Sequence, residues 1–232
     1  MKNCAIILAS GTGSRLGLDI PKQFYKINDK TVLEYSIEAF ENHKAISSVI
    51  IVSHPDYIDL TKEISFKYSK VRGVIKGGST RQKSAYNALN ALAGKWIDNV
   101  LIHDAVRPFI NSDIIDNCIK ALEKYQAVNV VLPVSDTIIE IDENNLIKKV
   151  PDRALIKRCQ TPQCFRYAVI KEAHELAQNE NYNSATDDCS LVLRYDLTPV
   201  YAAEGSEDNI KITYPSDIII AKEILKRKNK RL

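Results

Sequence analysis

A disulfide framework is missing from this chain. Its five cysteines, Cys4, Cys118, Cys159, Cys164 and Cys189, are an odd number and form no Cys-x-x-Cys pair. That usage excludes a zinc ribbon or a stapled secreted fold and predicts reduced, buried or incidental thiols. Long hydrophobic runs are lacking too: nothing approaches the ~20 apolar residues of a membrane span. The opening "MKNCAIILASG" has one lysine and too short an apolar stretch for a secretory leader. A cytoplasmic protein without a membrane partner is therefore expected. Charge of one sign is also scarce, and a formal net charge of +3 does not mark a nucleic-acid-binding chain. The one concentrated basic run, "KRKNKRL", reads as a solvated helix end, since no aromatic or glycine-rich context supports an RNA-binding tail. Internal repeats and low-complexity segments do not occur.

What is present suits one α/β domain spanning residues 1–232, with 45% hydrophobic and 26% charged residues, enough to bury a sizeable core. Short apolar runs alternate with longer amphipathic ones. "CAIILA", "SSVIIVS", "VRGVIKGG", "DNVLIHDA", "AVNVVLPV" and "PVYAAEG" read as strands. "TVLEYSIEAFENH", "YIDLTKEISFKYS", a helix beginning near Ser79, "SDIIDNCIKALEKY" with a Ser112 cap, "RYAVIKEAHELAQN" and "YPSDIIIAKEILKRK" read as helices. The alternation predicts a mostly parallel twisted sheet with helices on both faces. It breaks between about Pro133 and Gln160, where strand-like alternation around Asn144-Asn145 predicts a hairpin arm, about 134–160, projecting from the sheet. "SATDDCS" reads as a loop.

The first strand feeds "ASGTGSRLGLDIPKQF", a loop with Gly11, Gly13 and Gly17. A dinucleotide fingerprint needs a third glycine where Leu16 stands and a ribose-binding acid about 20 residues on, whereas the acid after the second strand, Asp56, is far too distant. The Walker spacing leads from Gly11 to Leu16 and from Gly13 to Leu18, so it fails as well. G-x-G-x-R followed by "PKQ" is still the chemistry of an anion site: glycines admit phosphate oxygens to backbone N–H groups, and Arg15 and Lys22 supply charge. A plain turn with two solvated cations is the simpler alternative, disfavoured by the density of glycine and cation. In "VLIHDAVRP", Asp104 ends a central-looking strand, where open α/β sheets bind ligands. It can hold a divalent metal, and Arg107 can grip an anion; an Asp–Arg pair tying down a loop is the bland alternative.

"LASGTGSRLG…PKQF", "GGSTRQKS", "VLIHDAVRP", "PVSDT", "QTPQCF", "TDDCS" and "NIKIT" occur in the order and approximate spacing of one family. The chain resembles the CTP-dependent cytidylyltransferases that activate sugar-alcohol phosphates. Members act on 2-C-methyl-D-erythritol 4-phosphate in isoprenoid synthesis or on ribitol 5-phosphate in polymer synthesis. The resemblance runs from residue 5 to about 225. It implies a Rossmann-like fold and a reaction in which a polyol phosphate attacks the α-phosphorus of CTP and releases pyrophosphate. It places Ala9, Ser10, Gly11, Thr12 and Gly13 around the nucleotide, Arg15 and Lys22 on the phosphates, and Gly78 and Ser84 at cytosine and ribose, with Arg81 shaping that pocket. Lys211 would meet the α-phosphate from the opposite side. Asp104 would sit near Mg²⁺, with Asp208 as a second acid. Arg107, Thr137, Arg153 and Thr161 would hold the polyol phosphate, with Asp104 touching a hydroxyl. The resemblance also implies a homodimer in which the arm carries Thr137 and Arg153 to a neighbour's site. None of the four histidines need be catalytic, and His103 would orient the strand end.

The arm departs from the methylerythritol-phosphate pattern. Ile139 and Glu140 follow "DTI" where a cation is common, and "LIKRCQTPQ" lacks a Leu-Trp pair. Pro151, two residues before Arg153, is closer to the ribitol-phosphate branch, whereas "EAHELA" and "TDDCSLV" are closer to the methylerythritol branch. Either acceptor, or another capsule-type polyol or sugar phosphate, is compatible with this mixture. An NAD-dependent oxidoreductase and a catalytically silent nucleotide-binding regulator are the alternatives from other classes.

Overall fold

The structure, a computed structural model, describes residues 1–12 and 20–229. The chain opens with β1 (Asn3–Ala9) and a small hairpin of β2 (Lys26–Ile27) and β3 (Lys30–Thr31), followed by α1 (Val32–Glu41). Next come β4 (Ile46–Ser53), α2 (Ile58–Ser65), β5 (Val71–Lys76), α3 (Arg81–Ala91), β6 (Asn99–Asp104), α4 (Ser112–Ala121) and β7 (Ala127–Pro133). The arm holds β8 (Glu140–Ile141) and β9 (Ile147–Lys149). β10 (Lys157–Arg166), α5 (Tyr167–Asn179), α6 (Asp188–Arg194), β11 (Val200–Glu204) and α7 (Pro215–Asn229) complete it.

Seven of the described strands form one sheet in the order β11-β7-β10-β6-β1-β4-β5. All neighbours are parallel except β10, which runs antiparallel to both β6 and β7. The predicted parallel α/β sheet is present, and its one reversed strand is the segment around "QTPQCF" that periodicity does not single out. β10 is buried on both sides in its second half yet polar in sequence, because Gln160, Thr161 and Gln163 face hydrogen-bonding partners rather than apolar side chains. Its first residue pairs with the last of β7, Lys157 opposite Pro133, so the main sheet resumes there and the arm spans 134–156.

Alternation along β1 explains the two-faced core. Ala5, Ile7 and Ala9 pack with Leu33, Ile37 and Phe40 of α1 and with Ile114, Ile115 and Cys118 of α4. Cys4, Ile6 and Leu8 pack on the other face with α3, α5 and α6 residues such as Leu89, Ile170 and Val192. A strand buried on both faces reads as a continuous apolar run, as "CAIILA" does. A third cluster seats α7, through Ala221, Ile224 and Leu225, on Ile27, Val32, Phe109 and Ile212.

Helix starts follow their side-chain caps. Thr31 and Glu34 form a capping box at α1, with Glu34 N donating to Thr31 Oγ1 (3.2 Å) and Thr31 N to Glu34 Oε2 (2.7 Å). Asn111, not Ser112, caps α4: its side chain accepts from Ile114 N at 3.0 Å, and Ser112 is already helical. Thr80 caps α3, which begins at Arg81 rather than at Ser79. "SATDDCS" is not all loop either. Asp187 accepts from Ser190 N at 2.9 Å and starts α6 one residue later.

The chain passes from β1 to β4 and β5 on one side, then returns to place β6 on the other side of β1. That reversal opens a crevice beyond the carboxyl ends of the strands, the location where such sheets bind ligands.

Candidate active site

A cleft of about 780 Å³ occupies that crevice, lined by Leu8 to Thr12, Lys22, Gln23, His54, Pro55, Lys76 to Arg81, Asp104, Val106 and Lys211. Its described wall carries four cations, Lys22, Lys76, Arg81 and Lys211, against one carboxylate, Asp104. An excess of cations of that kind, in a partly enclosed cavity, matches a polyanionic ligand.

Asp104 is the hub. Lys211 Nζ lies 2.7 Å from Oδ2 and Arg81 Nε 3.4 Å from Oδ1. Burial pushes the Asp104 carboxyl up, but Arg81 and Lys211 outweigh it and hold it well below the usual carboxylate range. The carboxylate is therefore ionised, and it fixes the two cations it joins. Arg81 is tied from behind as well: its Nη1 lies 2.7 Å from Asp188 Oδ2, and His174 Nε2 lies 3.0 Å from the other Asp188 oxygen. Asp188 is 1% exposed, so its charge is compensated only by these neighbours. Gln163 Oε1 accepts from the Asp188 and Cys189 amides and sets the start of α6.

The strand end below Asp104 is equally constrained. His103 is fully buried, and burial lowers its pKa to about 4, so the ring is neutral. Its Nε2 faces the Arg107 carbonyl at 3.0 Å and must carry the proton, which leaves Nδ1 to accept from Thr161 Oγ1 at 3.1 Å. Thr161 Oγ1 in turn accepts from Asp104 N at 3.1 Å. His103 thus ties the strand end to β10, with no proton to exchange near neutrality.

The glycine-loop segment is held by a residue that sequence reasoning quoted without a role. Gln23 Nε2 donates to Ala9 O (2.7 Å) and Gly11 O (2.9 Å), stapling the described part of the loop to the turn after it. Gly77 packs so closely on Ser10 that a Cβ there would collide with the Ser10 Cβ. A glycine is required at that approach.

The structure brings together Ala9, Ser10, Gly11, Thr12, Lys22, Gly78, Arg81, Asp104 and Lys211 in one cleft. Gly13 and Arg15 lie outside the described residues. Ser84 is fully buried behind Ser10 and Gly78 and is not on the wall. Thr161 also lies behind Asp104, both of its hydroxyl's bonds used inside the protein. Arg107 turns away from the cleft. Its Nη1 donates to Asn209 O at 2.8 Å, clamping the loop that carries Lys211, and its Nε is buried without a partner. Asp208 is not brought to Asp104: Arg227 of α7 engages it at 2.6 Å, and it does not line the cleft. Thr137 and Arg153 sit in the exposed arm, Arg153 Nη1 donating to Ser135 O at 3.1 Å, and neither lines this chain's cleft. Asp188, His174 and Gln163 were not anticipated; the "TDD" motif was visible, but only the fold shows that its second acid reaches Arg81.

A doubly wound α/β sheet with a cation-rich cleft at its switch point is the architecture of a protein that binds a phosphate-bearing ligand, and its relatives place it among the nucleotidyltransferases. The profile of 2-C-methyl-D-erythritol 4-phosphate cytidylyltransferase matches residues 3–227. The chain belongs to that family. A Clostridium botulinum 2-C-methyl-D-erythritol 4-phosphate cytidylyltransferase is 40% identical over 228 residues, 97% of this chain and 98% of its own. The bifunctional ribulose 5-phosphate reductase/CDP-ribitol pyrophosphorylase of Haemophilus influenzae is also 40% identical, over 233 residues, 98% of this chain and 49% of its own. The crystal structure of the Anaerococcus prevotii 4-diphosphocytidyl-2C-methyl-D-erythritol synthase superposes with a TM-score of 0.86 at 32% identity, covering 97% of this chain and 98% of that one. By family, then, the chain is a cytidylyltransferase, and a hydride-transferring or silent nucleotide-binding role is set aside. No helix among the described residues is long and apolar enough to cross a membrane.

Proposed function

We propose that this protein transfers the cytidylyl group of CTP to the phosphate of a short polyol, with 2-C-methyl-D-erythritol 4-phosphate as the first acceptor. The Asp104–Lys211–Arg81 cluster at the switch point carries the reading, together with the family match over residues 3–227. An acceptor phosphate oxygen attacks the α-phosphorus, the bond to the β-phosphate bridging oxygen breaks, and pyrophosphate leaves with its charge. The attacking phosphate is a competent nucleophile at neutral pH and needs no general base. What it needs is two polyanions held together while charge builds on the bridging oxygen. Preplaced cations lower that barrier by position and electrostatics. Lys22 and Lys211 supply charge at the cleft; Asp104 and Asp188 keep Lys211 and Arg81 in place.

The donor set fits a divalent cation that arrives with the triphosphate. Mg²⁺ typically keeps several waters and takes one or two carboxylates plus phosphate oxygens. Asp104 is the one carboxylate on the described wall, and among the described residues no group of three or more His, Cys, Asp or Glu stands together as a metal cage. Asp104 would hold the ion, which would neutralise developing phosphate charge.

Ribitol 5-phosphate is the second reading, favoured by the Haemophilus relative at the same 40% identity and by Pro151. The exposed arm, with Ile139, Ile141, Leu146, Ile147 and Leu155 open to solvent, supports a homodimer in which Thr137 and Arg153 serve the neighbour's acceptor site. Pyrophosphate release from CTP and Mg²⁺ against methylerythritol, erythritol, ribitol and glycerol phosphates tests the reading. A rate with methylerythritol phosphate at least tenfold above the others supports the first acceptor, and the reverse order with ribitol phosphate replaces it. Absence of turnover with all four overturns it. Sedimentation of a Leu155→Asp variant checks the dimer, which that charge should weaken.

A further inference from the structure

Residues 205–214, between β11 and α7, have no regular structure, so their placement depends on bonds to other elements. Lys211 stands in this loop, its Nζ 2.7 Å from Asp104 Oδ2. Two residues before it, Asn209 is fully buried. Its Nδ2 donates to Thr161 O at 2.9 Å and to Gln160 Oε1 at 3.2 Å. Its carbonyl accepts from Gln160 Nε2 at 3.2 Å and from Arg107 Nη1 at 2.8 Å. Gln160 closes the clip on Ser206, donating to its carbonyl at 2.9 Å and accepting from its amide at 3.3 Å. A Cβ on Gly205 would stand 2.4 Å from Gln160 Oε1, so glycine is what lets the loop come this close. Gln160 and Thr161 can serve the loop because the β10–β7 register breaks between Cys159 and Gln163 and the β10–β6 register starts at Gln163.

We infer that Asn209 is a positioning residue for the reaction: its buried amide fixes the loop on β10 so that Lys211 meets Asp104 at the cleft. The inference rests on the proposed role of Lys211 at the reacting phosphate. Thr161 joins the two halves. Its hydroxyl accepts from Asp104 N at 3.1 Å and its carbonyl accepts from Asn209, so one residue of β10 sets both ends of the Asp104–Lys211 pair. The orientation of the amide follows from its partners. Thr161 O only accepts, so nitrogen must face it, and Asn209 Oδ1 is left buried without a protein partner. A buried orphan acceptor costs stability, which points to orientation of the loop as what this amide supplies. Lysine has a long flexible stem, and one ion pair at its tip does not fix where that stem starts. The Lys211 side chain is also 42% exposed, so the pair alone holds it weakly. The anchor two residues away fixes the stem.

Asn209→Ala removes the tie to β10 and leaves the carbonyl contacts, so the loop can pivot about Arg107. Pyrophosphate release with CTP, Mg²⁺ and the acceptor that the parent turns over fastest tests this in the parent, Asn209→Ala, Lys211→Ala and the double variant. Asn209→Ala should lower kcat by about ten- to a hundredfold, as a misplacement of about 1 Å does. In the Lys211→Ala background the same change should cost less than about twofold, because the group it places is gone. Equal losses in both backgrounds would mean a merely structural role and overturn the inference. Hydrogen exchange gives a readout without turnover. Amides of residues 205–214 should exchange faster in Asn209→Ala while those of β1 stay unchanged, and parental exchange in the loop overturns the inference. If thermal unfolding shows that Asn209→Ala does not fold, Gln160→Ala opens the clip from the other side and is read in the same cycle. Lys211→Ala with parental turnover would fault the phosphate role in the proposed function, and the inference with it. An impaired Lys211→Ala with additive losses faults Asn209 alone.

Discussion

The cleft and the arm of this protein are built on opposite terms. In the cleft Asp104 is 7% exposed, with His103 and Thr161 bonded to each other behind it and Asp188 holding Arg81 and His174. In the arm the two-stranded sheet of β8 and β9 is separate from the main sheet, and Leu155 is 82% exposed. Its turn is fixed only locally, by Asp142 Oδ1 accepting from the Asn144 and Leu146 amides and by Asn145 at φ 62°. The difference teaches that the cleft is organised by contacts between residues far apart in the chain, whereas the arm is held by contacts within itself. Preorganisation is most useful where charge develops, and the cleft has it.

The contrast can be broken most sharply at Lys211. Lys211→Ala should cut turnover by about two to three orders of magnitude with the fold retained, since one preplaced cation acting on the reacting phosphate, the role proposed for it, would be worth roughly 3–4 kcal/mol. Near-normal activity would remove the phosphate role from the cleft. Next in size is Asp188→Ala, which strands the Arg81 guanidinium without its closest counter-charge. Breaking a buried pair typically costs about 3 kcal/mol or more, so urea unfolding should shift strongly; an unchanged midpoint would show that the second layer is dispensable.

On the arm the expected effects are smaller and of another kind. Arg153→Ala should raise the KM of the polyol phosphate by about tenfold and leave that of CTP alone, as lost binding of one anion by one cation would do. Equal changes in both would erase the division between the two regions. The smallest effect is a cap remote from both. Burial pushes the Glu34 carboxyl up, yet Lys67 and the Thr31 amide and hydroxyl more than offset this and lower its pKa. A depressed carboxyl stabilises the fold above its unfolded pKa, and that contribution disappears as pH falls through the folded value. Glu34→Gln should therefore cost about 1 kcal/mol at pH 7, and the gap should close as pH falls through the lowered pKa of the folded carboxyl. A gap that persists at low pH would mean that packing, not charge, is lost.

Much of this was legible in the order of residues. Short continuous apolar runs alternating with amphipathic runs of period 3.6 announced a parallel α/β sheet, because burial on both faces leaves a continuous apolar strand such as "CAIILA". The failed dinucleotide and Walker spacings, the cations near the loop and the acid ending "VLIHD" marked an anion site at a strand end. The arm hairpin showed itself through its Asn-Asn turn. β10 did not, since a strand whose inward side chains are Gln and Thr has no apolar period to betray it.

Tertiary structure alone decided who stands where. Residues distant in sequence, Arg81, Asp104, Asp188 and Lys211, meet only because β6 returns beside β1 and α6 packs next to α5. It also decided that Ser84 and Thr161 spend their hydroxyls inside the protein, that Arg107 clamps the loop carrying Lys211, and that Asp208 belongs to Arg227. Periodicity specifies which face a side chain occupies. A hydroxyl or a charge is assigned only by its partners, and partners across 50 or 100 residues of chain are chosen by topology.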